Sequence, residues 1–174
     1  MKFGINCGHT LNGAGYGATG LIKESIWTRI IGYAVSAELM RRGHIVYNCT
    51  VDRAKTTNQY LQNSVNLAND SDIDYFISIH LNASADHKGQ GVECLTYNGI
   101  RLSKAVGVCT ELSKEGFKNR GVKDGSGLFV IKRTKATAIL IECFFCDNGE
   151  DIKTAGGLDY EKIATAICNG LEKY

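Results

Sequence analysis

Two spacings of apolar residues alternate along the chain. Phe3 to Cys7 alternates apolar and polar positions and predicts a strand. From Ser25 to Arg42, Ile26, Ile30, Tyr33, Ala37 and Met40 recur at intervals of three and four, the helical period. Arg41 and Arg42 suit the helix C-terminus, and Gly43 is a natural stop. Ile45 to Cys49 predicts a second strand, and Leu61, Val65 and Ala68 a helix ending near Asp70. Tyr75 to Ile79 reads as a strand buried on both faces, followed by a strand over Val92 to Tyr97. Leu102, Ala105, Cys109 and Leu112 mark a helix stopped by Gly116. Leu128 to Ile131 and Ala138 to Ile141 read as short buried strands. Tyr160, Ile163, Ile167 and Leu171 form the last helix. This order predicts an α/β fold: one layered domain over residues 1–174, with a twisted, mostly parallel sheet and helices on both faces.

Composition narrows the class without changing that picture. The chain has 174 residues, 44% hydrophobic and 22% charged, which excludes disorder and low complexity. A net charge of +2 is too balanced to argue for a nucleic-acid partner. There is no proline, so loops must turn on glycine, asparagine and aspartate. The seven cysteines, an odd number lying mostly in apolar runs, read as reduced buried thiols, the Cys143/Cys146 pair included. The N-terminus has no apolar core of signal-peptide type, and no stretch is apolar enough to cross a membrane. The expectation is a product made in the cytoplasm that acts elsewhere only after release.

Gly15-Tyr16-Gly17-Ala18-Thr19-Gly20 matches G-x-G-x-x-G, but the glycines begin eight residues after the first strand. A dinucleotide site needs them at the strand end, with an acidic residue about 20 positions beyond. Asp52 is too far, so the segment reads as a loop lining a cleft and no nucleotide is expected. His9, His80 and Glu142 each close an apolar strand, and Glu24 lies where the long helix starts. Ligands in open α/β sheets bind outside the carboxyl ends of the strands, where such residues converge. Two imidazoles and a carboxylate make a three-ligand zinc site open to water, and a further carboxylate can serve as general base. His44 and His87 read as solvated, His87 being near enough to His80 to stand as a reserve ligand.

In combination these motifs resemble the zinc-dependent N-acetylmuramoyl-L-alanine amidases of cell-wall hydrolases, over nearly the whole chain. Gly8-His9 resembles the first ligand segment, and Gly20 to Glu24 the second, with one extra residue before the glutamate. Phe76 to Ala83 resembles the segment of the second histidine, Gly89 to Glu93 the strand that follows, and Ala138 to Glu142 the strand of the catalytic glutamate. Asn119 to Lys123 and Leu128 to Ile131 continue the resemblance. Asn6-Cys7 departs from the family's frequent Asp-Pro at the first ligand. Glu142 to Asn148 looks most like lysins of phages that infect clostridia.

The resemblance implies that His9, Glu24 and His80 hold zinc and that Glu142 is the catalytic acid–base. The bond cut would be the amide between N-acetylmuramic acid and L-alanine in peptidoglycan, causing wall lysis. Asn82, beside His80, would orient substrate. Peptidoglycan is then the expected partner, with no membrane insertion, and such lysins often carry a wall-binding module outside the catalytic domain. The basic stretch Lys114, Lys118, Arg120, Lys123, Lys132, Arg133 and Lys135 reads as a solvated face that could also meet an anionic wall polymer. The alternative is a zinc exopeptidase acting on peptide bonds. A wall-binding module without turnover has no need of a spare carboxylate beside a metal.

Overall fold

The computed structural model describes all of residues 1–174. Eight strands and six helices follow in the order β1 (Lys2–Cys7), β2 (Asn12–Gly13), α1 (Glu24–Arg41), β3 (Ile45–Asn48), β4 (Arg53–Ala54), α2 (Thr57–Asn69), β5 (Tyr75–Asn82), β6 (Val92–Thr96), α3 (Ser103–Lys114), β7 (Asn119–Asp124), α4 (Phe129–Arg133), β8 (Thr137–Phe145), α5 (Gly149–Gly156) and α6 (Tyr160–Lys173). Six strands form one sheet in the order β3-β1-β5-β8-β6-β7, and β2 and β4 pair separately. All neighbours in the large sheet are parallel except β6 and β8.

The central strands are apolar on both faces because both faces are covered. On one side α1, α3 and α6 enclose a core of Phe3, Ile5, Ile77, Ile79, Ile139 and Ile141 with Val35, Leu112, Ile163 and Ile167. On the other, α2 and α4 cover a smaller core that includes Phe76, Ala138 and Leu140. All seven cysteines are free and buried.

Three expectations are corrected. Leu128 to Ile131 is no strand: Lys132 N–H reaches the Leu128 carbonyl and the segment enters the short helix α4. Four apolar residues cannot by themselves distinguish the two. In α1 the stripe of Ile26, Ile30, Tyr33 and Met40 is exposed, and the buried face carries Ser25, Thr28, Arg29, Ile31, Gly32, Val35 and Leu39. A Cβ on Gly32 would lie 2.5 Å from Cys7 Sγ, so this face lies hard against β1. His44 is not solvated: it is half-buried, edge-on to Phe3, with Nε2 2.6 Å from Glu172 Oε1. The short strands β2 and β4, the edge strand β7 and the helix α5 were not expected from the sequence. Asn148 caps α5 through Glu150 and Asp151 N–H, and buried Asp151 accepts from Gly91 and Phe145 N–H at 2.8 Å each.

Candidate active site

β1, β5 and β8 are neighbours in near-perfect register: Cys7 lies beside Ile79, Ile79 beside Ile141, and His80 beside Glu142. The residues at their carboxyl ends therefore meet. His9 lies two residues past β1 with φ 66°, a left-handed conformation uncommon for a side-chain-bearing residue. The surroundings hold it there. Its N–H donates to the Tyr60 hydroxyl at 2.6 Å, and Arg29 Nη2 donates to its carbonyl at 2.7 Å. Arg29 Nη1 and Thr28 Oγ1 also donate to the Gly8 carbonyl. These are the polar residues of the buried face of α1.

Glu24 is the first residue of α1. Its Oε1 lies 3.2 Å from His9 Nε2 and 3.1 Å from His80 Nδ1, and also accepts from Leu81 N–H. Oε2 accepts from Ala18 N–H at 2.8 Å. His9 Nδ1 faces the Gly15 carbonyl at 3.0 Å, which leaves Nε2 to point inward. The candidate donor atoms of His9, Glu24 and His80 all lie within 4.8 Å of one another, and the three form a group able to hold a metal ion. Burial alone would raise the Glu24 carboxyl, but hydrogen bonds from His80 and His9 and their charges hold it well below the usual range. Burial lowers the pKa of His80, against the pull of Glu24. A neutral imidazole is the form that binds a metal.

Two glycines make room for this cluster. A Cβ on Gly8 would lie 2.4 Å from the His80 ring. A Cβ on Gly17, which has φ 81°, would lie 2.6 Å from His9 and 2.7 Å from Glu24 Oε2. The G-x-G loop is thus spent on the cluster, its Gly15 carbonyl orienting His9.

Glu142 lies beside His80, and its Oε2 is buried without a hydrogen-bond partner. Burial raises its pKa well above the usual range, and the negative charges of Glu24 and Glu93 add to the effect. A cleft of about 550 Å³ opens past His9, His80 and Glu142 toward Leu61, Phe129 and Leu140. A carboxylate with one buried, unpartnered oxygen next to three converging donors fits a metal with an exchangeable ligand position.

Asn82 lies two residues beyond His80, with both polar groups engaged: Nδ2 donates to Glu93 Oε1 and Oδ1 accepts from Ala83 N–H. His87 is exposed and pairs with Asp147, outside the metal-binding group. Of the basic stretch, Lys114 pairs with Glu111 and Arg120 with Glu93. Sequence reasoning missed Arg29, Tyr60 and the Glu93–Arg120 pair. Only Arg29 left a signal, as a charge on the helix face that packs against β1.

A mixed α/β sheet with two histidines and two glutamates gathered at its strand ends defines a hydrolase-like site of metal-binding type. The chain belongs to the N-acetylmuramoyl-L-alanine amidase family, whose model matches residues 4–173. It is similar in structure to the catalytic domain of the CD27L endolysin targeting Clostridia difficile. The TM-score is 0.91 at 33% identity, over 99% of this chain and 97% of that one. An uncharacterised protein of Clostridium perfringens is 33% identical over 159 residues, covering 88% of this chain and 46% of that protein. The N-acetylmuramoyl-L-alanine amidase LytC of Bacillus subtilis is 27% identical over 176 residues, 98% of this chain and 34% of that protein. The chain spans about half the length of the first curated relatives it matches. No helix is long and apolar enough to cross a membrane.

Proposed function

We propose that this domain is a zinc-dependent hydrolase of the amide between the lactyl group of N-acetylmuramic acid and the L-alanine of the peptidoglycan stem peptide. The observation that carries the reading is the buried, unpartnered Glu142 Oε2 beside the His9, Glu24 and His80 donors. Family membership supplies the substrate class. His9, Glu24 and His80 would hold the ion through two nitrogens and a carboxylate, a donor set suited to zinc. Zinc bound there would polarise the scissile carbonyl and lower the pKa of a water toward about 7.

The chain's own residues do the rest. Glu142, with its raised pKa, takes a proton from the attacking water and passes it to the departing alanine nitrogen. Gly15 and Tyr60 hold His9 with its Nε2 toward Glu24, where it would bind the ion. Asn82 acts on substrate placement through Glu93. The action is on the cell wall. An endolysin of Bacillus phage SPP1 among the relatives supports that setting.

The test is digestion of purified peptidoglycan with and without chelator, with the new ends identified by mass spectrometry. Free L-alanine amines, lost on chelation and restored by zinc, are the expected result. Internal peptide fragments, or single amino acids released from the stem-peptide ends, would instead show a peptidase.

A further inference from the structure

The sheet carries a second charged cluster beside Glu142, on the same face. Val92 and Cys94 of β6 belong to the larger core, so Glu93 between them points to the opposite face. There it lies directly across from Glu142 on β8. β6 and β7 pair with a register shift: Val92 with Asn119, but Cys94 with Val122. β7 therefore has an extra residue near Arg120–Gly121, where Gly121 takes φ 75°. Asn119 pairs with Val92 on the core face, so Arg120, the next residue, falls on the face of Glu93, and the extra residue returns Val122 to the core side beside Cys94. A matching shift in β8 leaves both Cys143 and Phe144 in the larger core and returns Phe145 to the face of Glu142.

These residues form one unit. Arg120 Nε donates to Glu93 Oε2 at 2.7 Å, and its guanidinium lies over the Phe145 ring, 5.0 Å from the centroid. Asn82 Nδ2 holds the other Glu93 oxygen at 2.9 Å. Both oxygens of Glu93 are thus occupied and its charge is balanced. The two terminal nitrogens of Arg120 make no hydrogen bond within the protein, and its side chain is 34% exposed. An arginine fixed by Nε and one face, with both terminal nitrogens free, is preset for a carboxylate.

The span also fits. An extended peptide advances ~3.3 Å per residue, and neighbouring strands lie ~4.8 Å apart. The backbone of β7 is two strands from Glu142, and Arg120 leans back over one of them. A group one residue beyond the released alanine is within that reach. In wall stem peptides this residue bears a carboxyl that is either free or amidated. The geometry points to Arg120, seated on Glu93 and Phe145, as the group that binds this carboxylate and makes the domain favour the free acid over the amide. The inference rests on the amidase reading and deepens it.

Two muramoyl dipeptides that differ only in that group, acid or primary amide, test it. The wild-type protein should show the lower KM for the acid. R120Q should raise KM for the acid about tenfold, the scale of a lost charge-assisted hydrogen bond, and bring acid and amide close together. R120K should restore part of the preference. The same preference is to be read by calorimetric binding to zinc-loaded E142Q and to the E142Q/R120Q double variant. An unchanged acid-to-amide ratio in R120Q, or equal weakening of both ligands, overturns the role of Arg120. Wild-type protein that holds zinc and cleaves neither compound overturns the amidase reading instead, and the binding preference still decides Arg120.

Discussion

Glu142 and Glu93 stand opposite each other on antiparallel strands, yet one is fully bonded and the other is not. Asn82 and Arg120 take both oxygens of Glu93. Glu142 Oε2 is buried with no partner, and its carboxyl is pushed well above the usual range by burial and by the charges of Glu24 and Glu93. Two carboxylates in different surroundings on adjacent strands can divide structural and proton-carrying work.

Removing the proton carrier should therefore spare the metal. Glu142→Gln is expected to keep zinc and lose about 10²–10⁴-fold in turnover, the usual contribution of general acid–base catalysis. Turnover on peptidoglycan and metal content measured on one preparation check this; near-normal turnover would remove Glu142 from the mechanism.

The same residue sets a pH dependence in the metal-free protein. Its pKa is raised on folding, so the folded state keeps its proton to higher pH than the unfolded chain. Its contribution to stability falls as pH rises above the ordinary carboxylate range. Between about pH 5 and about pH 8, the melting temperature of metal-free Glu142→Gln should decline less than that of wild type. Parallel declines in calorimetric scans would contradict the burial of this group.

His9→Ala should lose zinc and activity together, because the cluster then keeps only Glu24 and His80. Gly17→Ala should weaken zinc at least tenfold without touching a ligand. The new methyl group meets His9 and Glu24 at under 3 Å, and φ 81° is strained for alanine. Gly149→Ala, whose Cβ meets nothing within 4 Å, is the control. Chelator competition measures both; equal affinities for the two variants would show that the G-x-G loop does not form the pocket.

Arg29→Met should destabilise the fold by about 3 kcal/mol, since it leaves the Gly8 and His9 carbonyls and Asp52 without their cation. Denaturant unfolding reads the loss. A cost under about 0.5 kcal/mol, typical of a surface site, would mean that the loop stands without the clamp.

On α1, adjacent isoleucines should behave oppositely. Ile31→Ala should cost about 2–5 kcal/mol because Ile31 is wholly buried. Ile30→Gln should cost within about 0.5 kcal/mol because Ile30 is on the exposed stripe. Reversed costs in denaturant unfolding would mean that the helix faces the other way.

That helix shows how the sequence informs and misleads. Its period and ends are local properties, and the spacing of Ile26, Ile30 and Tyr33 gives the helix correctly. Which face turns inward is not local. Gly32 allows the closest approach to β1, while Thr28 and Arg29 bond to the Gly8–His9 backbone, so a face with polar residues is buried and an apolar stripe is left outside. The six-residue strand β7 carries Asn119, Arg120, Lys123 and Asp124 and has little apolar alternation to betray it, because it lies at the sheet edge.

The sequence by itself determined the order of most elements and the placement of His9 just past β1 and Glu24 at the start of α1, because apolar periodicity and its breaks are written residue by residue; His80 and Glu142, expected to close their strands, lie inside β5 and β8, which run on to Asn82 and Phe145. The tertiary structure alone decided that Glu142 keeps an unpartnered oxygen, that Glu93 is held by Asn82 and Arg120, and that Arg120 and Phe145 turn to the same face. Phe145 reaches that face through the register shift between β5 and β8, and the shift between β6 and β7 returns Val122 to the core side beyond Arg120. A single extra residue in a strand reverses the face of everything beyond it, and only pairing with the neighbouring strand shows where that residue falls.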